Sequence, residues 1–190
     1  MAKVYTIIGG VNGAGKSSLT GVLKKERDDL GMIIDIDKMA MQGKLSALEA
    51  GKQALRLMNH YCENGISFTQ ESTLSGGHQV TRMIQKAKER GYEVHLFYVG
   101  VATEEECLKR IANRVAKGGH DIQEEDVRRR FAKRFDVLVD ILPYCDEANF
   151  YDNENGFQLV AEYQNGEFMR TNGDVPAWFV AMEKQYQESL

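Results

Sequence analysis

Short apolar runs alternate along the chain with segments whose apolar residues recur every three or four positions. That is the pattern of stacked strand–helix units and a parallel sheet. Val4–Ile8 reads as a first strand. A helix over Ser17–Leu30 follows, with Leu19, Val22, Leu23 and Leu30 on one side and Gly31 as its stop. Met32–Ile36 is a second strand ending in Asp35-Ile36-Asp37, and a long helical stretch from Lys44 to Tyr61 precedes a third strand, Ile66–Thr69. Val80, Met83, Ile84 and Ala87 have core spacing in a helix over Val80–Arg90 that Gly91 caps. Glu93–Val101 is almost continuously apolar, which suits a central strand.

From Thr103 to Asp140 the periodicity predicts two helices separated by Lys117-Gly118-Gly119-His120, the second with a capping-box-like start at Asp121 and Glu124. Beyond Pro143 come a strand through Asn149–Tyr151, a turn over Asp152–Gly156, a strand over Phe157–Tyr163 and a hairpin turn at Gln164-Asn165-Gly166. Pro176–Gln187 reads as a terminal helix. No linker, internal repeat or second domain is visible. The expectation is therefore one α/β domain over residues 1–190, with a mostly parallel five-stranded sheet, helices on both faces, a helical lid at about 103–140 and a short β-hairpin near the C-terminus.

Composition changes this picture little. The chain has 190 residues, 43% hydrophobic and 27% charged, enough for one well-buried core. A net charge of −4 argues against a nucleic-acid partner, which needs a basic face. Cys62, Cys107 and Cys145 lie far apart without CxxC pairing, which suits a reducing compartment and buried thiols. The first residues pass straight into the first strand without a signal-like basic head and apolar run, and no stretch approaches membrane-spanning length. A cytoplasmic location and no membrane contact are expected.

The strongest chemical signal is Gly10-Val11-Asn12-Gly13-Ala14-Gly15-Lys16-Ser17, a full match to G-x-x-x-x-G-K-[ST], followed by Ser18. Glycines let backbone N–H groups turn inward around phosphates, and the following helix adds its positive end. Lys16 is placed to reach the β- and γ-phosphates of ATP and the Ser17 hydroxyl to ligate Mg²⁺. The motif follows an apolar strand and opens an amphipathic helix, the context its mechanism requires. The chain is thus read as a kinase-like P-loop NTPase.

Leu74-Ser75-Gly76-Gly77-His78-Gln79 is similar to the signature of ABC transporter ATPases. That fold needs a following strand ending in a carboxylate pair, and Val94–Gly100 ends in none. The segment is read as a glycine-containing loop beside the substrate cleft.

Phosphoryl transfer needs a group that takes the acceptor's proton. Asp37 lies just beyond the carboxyl end of the second strand, where open α/β sheets bind ligands. Asp35 is two residues away, and one of such a pair can instead cap the next helix. Glu71, Ser72 and Thr73 close the third strand at the same edge, Glu71 as a magnesium or acceptor carboxylate and the hydroxyls as acceptor-binding groups. Cations over the migrating phosphoryl group come from the lid: Arg110, Arg114 and Lys117 share one helix face. With Val127 at zero on a helical wheel, Arg134 falls at about −20° and Arg130 at about −60°, both leaning inward, whereas Arg129 and Lys133 point away. His120, after two glycines, is a further phosphate- or nucleotide-contact candidate.

Taken together, residues 9–18, Asp35-Ile36-Asp37, Phe68–Gly76, Arg114–Ile122 and Val127–Phe131 resemble the zeta-toxin-like P-loop kinases, above all a short bacterial branch often labelled predicted ABC-type ATPases. The resemblance covers roughly Val4 to Asn155. It implies an ATP-dependent kinase that phosphorylates a sugar hydroxyl of UDP-N-acetylglucosamine or a related nucleotide sugar, and an antitoxin partner. It also implies Lys16 and Ser17 for ATP·Mg, Asp37 as base, Glu71 and Thr73 near the acceptor, and Arg114 as the first lid arginine. Where a second lid arginine is expected this chain has His120, leaving Arg130 or Arg134 to replace it. Gln123 stands where the branch commonly has proline, and the long C-terminal extension of the larger toxins is absent. The leading expectation is γ-phosphate transfer from ATP to a hydroxyl of a small anionic metabolite. The alternatives are a housekeeping kinase of a nucleoside, sugar or antibiotic, and a nucleotide-binding regulatory protein without an acceptor.

Overall fold

A computed structural model describes residues 2–75, 78–171 and 173–190. Gly76 and Gly77, the glycines of the ABC-like segment, lie outside the described residues. The chain runs β1 (Lys3–Gly9), α1 (Lys16–Glu26), β2 (Met32–Asp35), α2 (Ile36–Gly43), α3 (Ala47–Glu63), β3 (Phe68–Ser72), α4 (His78–Glu89) and β4 (Tyr92–Gly100). It continues through α5 (Glu104–Ala116), α6 (Glu124–Ala132), α7 (Asp136–Ile141), a 3₁₀ turn (Leu142–Tyr144), β5 (Glu147–Asp152), β6 (Gln158–Gln164), β7 (Glu167–Arg170) and α8 (Ala177–Glu188).

The strands form one sheet in the order β2-β3-β1-β4-β5-β6-β7. The strands β1 to β5 are mutually parallel, while β6 and β7 add antiparallel. The sheet is thus mixed and seven-stranded rather than five-stranded. The C-terminal hairpin does not stand apart: Ala148↔Tyr163 and Phe150↔Ala161 pair β6 directly onto β5, extending the sheet on that side. The short turn between Asp152 and Gln158 folds β6 back onto its sequence neighbour, and the sequence pattern shows the two strands but not that they continue the parallel sheet.

Helices cover both faces. On one, Leu19 and Leu23 of α1, Cys107 and Ile111 of α5, and Val127 and Phe131 of α6 pack against Ile8, Phe97 and Val99. On the other, α3, α4, α7 and α8 bury Met58, Met83, Leu138 and Phe179 against Tyr5, Leu96, Tyr98 and Phe150. No helix among the described residues is long and apolar enough to cross a membrane.

Three local differences from the expected elements bear on the site. A helix, α2, begins at Ile36 directly after β2, and Ser46 and Glu49 form a reciprocal capping box that starts α3 afresh. The predicted stretch from Lys44 to Tyr61 is therefore only the second of two helices. The 103–140 region holds three helices instead of two, because α6 ends at Ala132 and α7 restarts at Asp136. Finally, α7 buries Leu138, Val139 and Ile141 in the core, so α5, α6 and the glycine loop between them are what border the cleft.

Candidate active site

The loop between β1 and α1 owes its shape to glycines. Gly13 has φ near +81°, and a Cβ there would meet the Cys107 carbonyl oxygen at 2.7 Å. Gly15, at φ +109°, caps α1 in the left-handed region and presses against Asn153. Asn12, Gly13, Gly15, Lys16, Ser17 and Ser18 border a cleft of about 900 Å³ at the carboxyl ends of β1, β2 and β3. Gly10, Val11 and Ala14 form the back of the loop through their carbonyls. Lys16 Nζ donates to Gly10 O at 2.8 Å and Val11 O at 3.1 Å. Burial lowers the Lys16 pKa from its ordinary value, against the opposing pull of Glu71, Asp37 and Asp35.

Two long-range contacts brace this loop. The Ala14 carbonyl accepts Asn153 Nδ2 at 2.8 Å, and Arg110 donates to Asn153 O at 2.6 Å while pairing with Glu106 at 2.9 Å. Asn153 is fixed in turn by its own N–H on Gly100 O, and the preceding Asp152 accepts the buried Trp178 indole N–H at 2.7 Å. Asn153 and Trp178 carry no motif-level signal; the contacts span 139 and 26 residues and exist only in the fold.

The carboxylates divide clearly. Asp35 is the N-cap of α2, its Oδ1 accepting Lys38 N at 3.0 Å. Asp37 lies in the first turn of α2, exposed on the cleft wall. Glu71 is 9% exposed and accepts Ser17 Oγ at 2.7 Å on one oxygen and Thr20 Oγ1 at 2.6 Å on the other. A serine hydroxyl beside a buried carboxylate is the hard-oxygen pair that suits Mg²⁺ together with nucleotide oxygens. Ser72 and Thr73 border the cleft, the Ser72 hydroxyl accepting Leu74 N and Thr73 sharing a 2.6 Å hydrogen bond with Ser75.

From the lid side, Arg114 and His120 also line the cleft, and Arg130 reaches across to Asn12 Oδ1 at 2.7 Å. Gly119 N–H closes back on Arg114 O at 2.9 Å, so the glycine loop folds over the Arg114 side chain. Arg134 is not brought to this cleft. Its guanidinium stacks on Phe131 and Phe135, 4.0 and 4.3 Å from the ring centres, and donates to Phe131 O at 2.8 Å. The inward wheel position assumed an unbroken helix through 134, and the phase is lost where α6 ends at Ala132. The structure therefore gathers Lys16, Ser17, Ser18, Asp35, Asp37, Glu71, Ser72, Thr73, Arg114, His120 and Arg130 around one cavity and leaves Arg134 outside it.

The fold recurs in known proteins. A structure from the PezAT chromosomal toxin–antitoxin system of Streptococcus pneumoniae matches with TM-score 0.66 at 18% identity, over 98% of this chain and 85% of that one. The AvrRxo1-ORF1:ORF2 complex solved with ATP matches with TM-score 0.68 at 18% identity, over 98% of this chain and 63% of that one. In sequence, an uncharacterized protein of Haemophilus influenzae (strain KW20) is 40% identical over 127 residues, 64% of this chain and 88% of its own length. The zeta toxin family model matches residues 1–154, and the chain belongs to that family.

Proposed function

We propose that this protein is an ATP-dependent kinase that transfers the γ-phosphate to a hydroxyl of a small molecule, with Asp37 as the base. One observation carries the reading: Lys16, the Ser17–Glu71 pair and the exposed carboxylate of Asp37 border the same cleft. The phosphate loop binds the triphosphate by its backbone N–H groups, and Lys16 leaves its resting carbonyl partners for the β- and γ-phosphates. Ser17, backed by Glu71, would hold Mg²⁺, which would supply charge neutralisation at the phosphates. Asp37 accepts the acceptor's hydroxyl proton as the new P–O bond forms and the bond to the ADP oxygen breaks. Arg114 and Arg130 contribute cations beside the moving phosphoryl group, with Asp35, Ser72, Thr73 and His120 as acceptor or phosphate contacts.

Family membership and the exposed Arg114 and Lys117 on the lid wall support UDP-N-acetylglucosamine or a related UDP-sugar as acceptor, its diphosphate toward the lid. Membership also supports an antitoxin partner, as the PezAT neighbour comes from a toxin–antitoxin system. The test is ADP release screened across UDP-sugars, nucleosides and simple sugars. A response confined to UDP-sugars supports the finer reading; a response to another metabolite alone assigns a housekeeping kinase. Nucleotide binding without acceptor-stimulated ADP release would make the protein a nucleotide-binding regulator.

A further inference from the structure

The phosphate loop has a weak point at the peptide between Ala14 and Gly15. That plane turns about the Ala14 ψ and Gly15 φ angles, and the glycine, at φ near +109°, restrains it little. A peptide is planar and trans, so its N–H points opposite to its carbonyl. Whether Gly15 presents its N–H to a phosphate therefore depends on what holds the Ala14 carbonyl. Among the described residues that N–H has no backbone acceptor.

The hold comes from the C-terminal part of the chain. Asn153 Nδ2 donates to Ala14 O at 2.8 Å. Asn153 is itself fixed at both backbone groups, its N–H donating to Gly100 O at 3.2 Å and its carbonyl accepting from Arg110 at 2.6 Å. The strand end that presents Asn153 is set in turn by α8. Trp178 Nε1 donates to the buried carboxylate of Asp152 at 2.7 Å, whose other oxygen accepts Glu154 N–H at 3.1 Å. The indole lies flat against Gly100, where any Cβ would collide with the ring. Just before it, Val99 O lies 2.6 Å from where a Cβ of Gly10 would stand, so the loop begins in contact with the same strand end. Phosphate loop, end of β4 and indole are thus packed in series. The helix α8 starts at Ala177, beyond the residues 1–154 that match the family model, so family membership does not supply this arrangement.

We infer that Trp178 and Asn153 are positioning residues for the donor triphosphate. Through Asp152 and Gly100 the indole sets Asn153, and Asn153 turns the Ala14–Gly15 peptide so that its N–H is free for a phosphate oxygen. The inference rests on the reading of the cleft as a nucleotide site. Neither residue acts on the transferred group, so their effect falls on donor affinity. Coupling of this kind is reciprocal, and a nucleotide on the loop acts back on the indole.

The test needs no acceptor. Binding of a non-hydrolysable ATP analogue with Mg²⁺ is measured calorimetrically on the full chain as wild type, N153A, W178F, the double variant and Y186F. Y186F removes the Tyr163–Tyr186 hydrogen bond of 2.7 Å at the other end of α8 and controls for general loosening of that helix. N153A and W178F should each raise Kd by about three- to tenfold. The double variant should lose no more than N153A alone, because Trp178 acts through Asn153, and Y186F should bind as wild type despite a lower Tm. A second readout needs no Trp178 variant. Trp178 is the single tryptophan, and its indole N–H resonance in ¹⁵N-labelled protein should shift when the analogue binds and stay in place in N153A. The inference is overturned if W178F binds as tightly as wild type, if the two losses add, if Y186F weakens binding equally, or if the wild-type indole signal ignores the bound analogue. Wild type that binds no analogue would refute the nucleotide reading of the cleft, and the inference with it.

Discussion

The two aspartates at the end of β2 sit two residues apart and should respond oppositely to substitution. Asp35 Oδ1 holds the Lys38 N–H at 3.0 Å, so the start of α2 depends on it. The side chain of Asp37 is exposed on the cleft wall, and its negative charge lies in the first turn of α2 and in the field of Lys16. That charge is worth at most about 1 kcal/mol against the helix dipole, or about 2–4 °C in Tm for a chain of this size. D37N retains the shape and removes the proposed base, so acceptor-dependent turnover should fall by about 10²–10⁴-fold. ATP affinity should stay within about twofold, because a group acting only on the acceptor's proton lies outside the nucleotide's binding contacts. D35A should lower Tm by a similar 2–4 °C through the lost cap, about 1 kcal/mol, and cost turnover far less. The assay is coupled ADP release at saturating acceptor, with calorimetric ATP binding and a thermal melt on each variant. Acceptor-dependent turnover by D37N within tenfold of wild type would refute the assignment of Asp37 as base.

Glu71→Gln leaves one of Ser17 and Thr20 its acceptor, turns the other oxygen into an NH₂ donor and removes the charge, so the Mg²⁺ needed for half-maximal turnover should rise by about 10–100-fold, read by magnesium titration of the ADP assay. Trp178→Phe deprives the buried Asp152 of its indole donor, at about 1.5–3 kcal/mol in a urea melt. Through Asn153 and the Ala14 carbonyl it should also raise the KM for ATP severalfold while the acceptor KM stays fixed. Trp178 is the single tryptophan, so a change in intrinsic fluorescence on adding ATP to wild type reads the same linkage. Toward acid, Asp29 and Asp146 set the trend. Arg27 holds the Asp29 pKa below its ordinary value, and Lys88 with the Val94 N–H outweighs burial to do the same for Asp146. Depressed folded-state values mean their stabilisation is complete above the unfolded carboxylate range and is lost as pH falls through the folded values. Tm should be flat above about pH 5 and drop below about pH 4, and the drop should be shallower in D146N.

Much of the candidate site was legible because its chemistry is local. The phosphate loop needs glycines, a lysine and a hydroxyl in consecutive positions, and Asp37, Glu71 and Thr73 lie where strands must end. Central strands were legible for the same reason, since β4 is nearly all apolar. What escaped was non-local or phase-dependent. The α2 helix has no buried residue and is held by its Asp35 cap, so apolar periodicity could not announce it. The placement of Arg134 hinged on helix continuity, and a three-residue break between α6 and α7 turned it onto Phe131 and Phe135. Asn153 and Arg110 meet Ala14 across long stretches of chain, and such contacts are decided by packing alone.

The central claim is a chemical one, that phosphorus leaves ATP for carbon-bound oxygen and not for water. Phosphorus-31 NMR of the protein with ATP, Mg²⁺ and the acceptor that stimulates ADP release reads this directly. A new phosphomonoester resonance should grow in step with loss of the γ-phosphate signal, and D37N should produce none. Growth of inorganic phosphate alone would contradict the account.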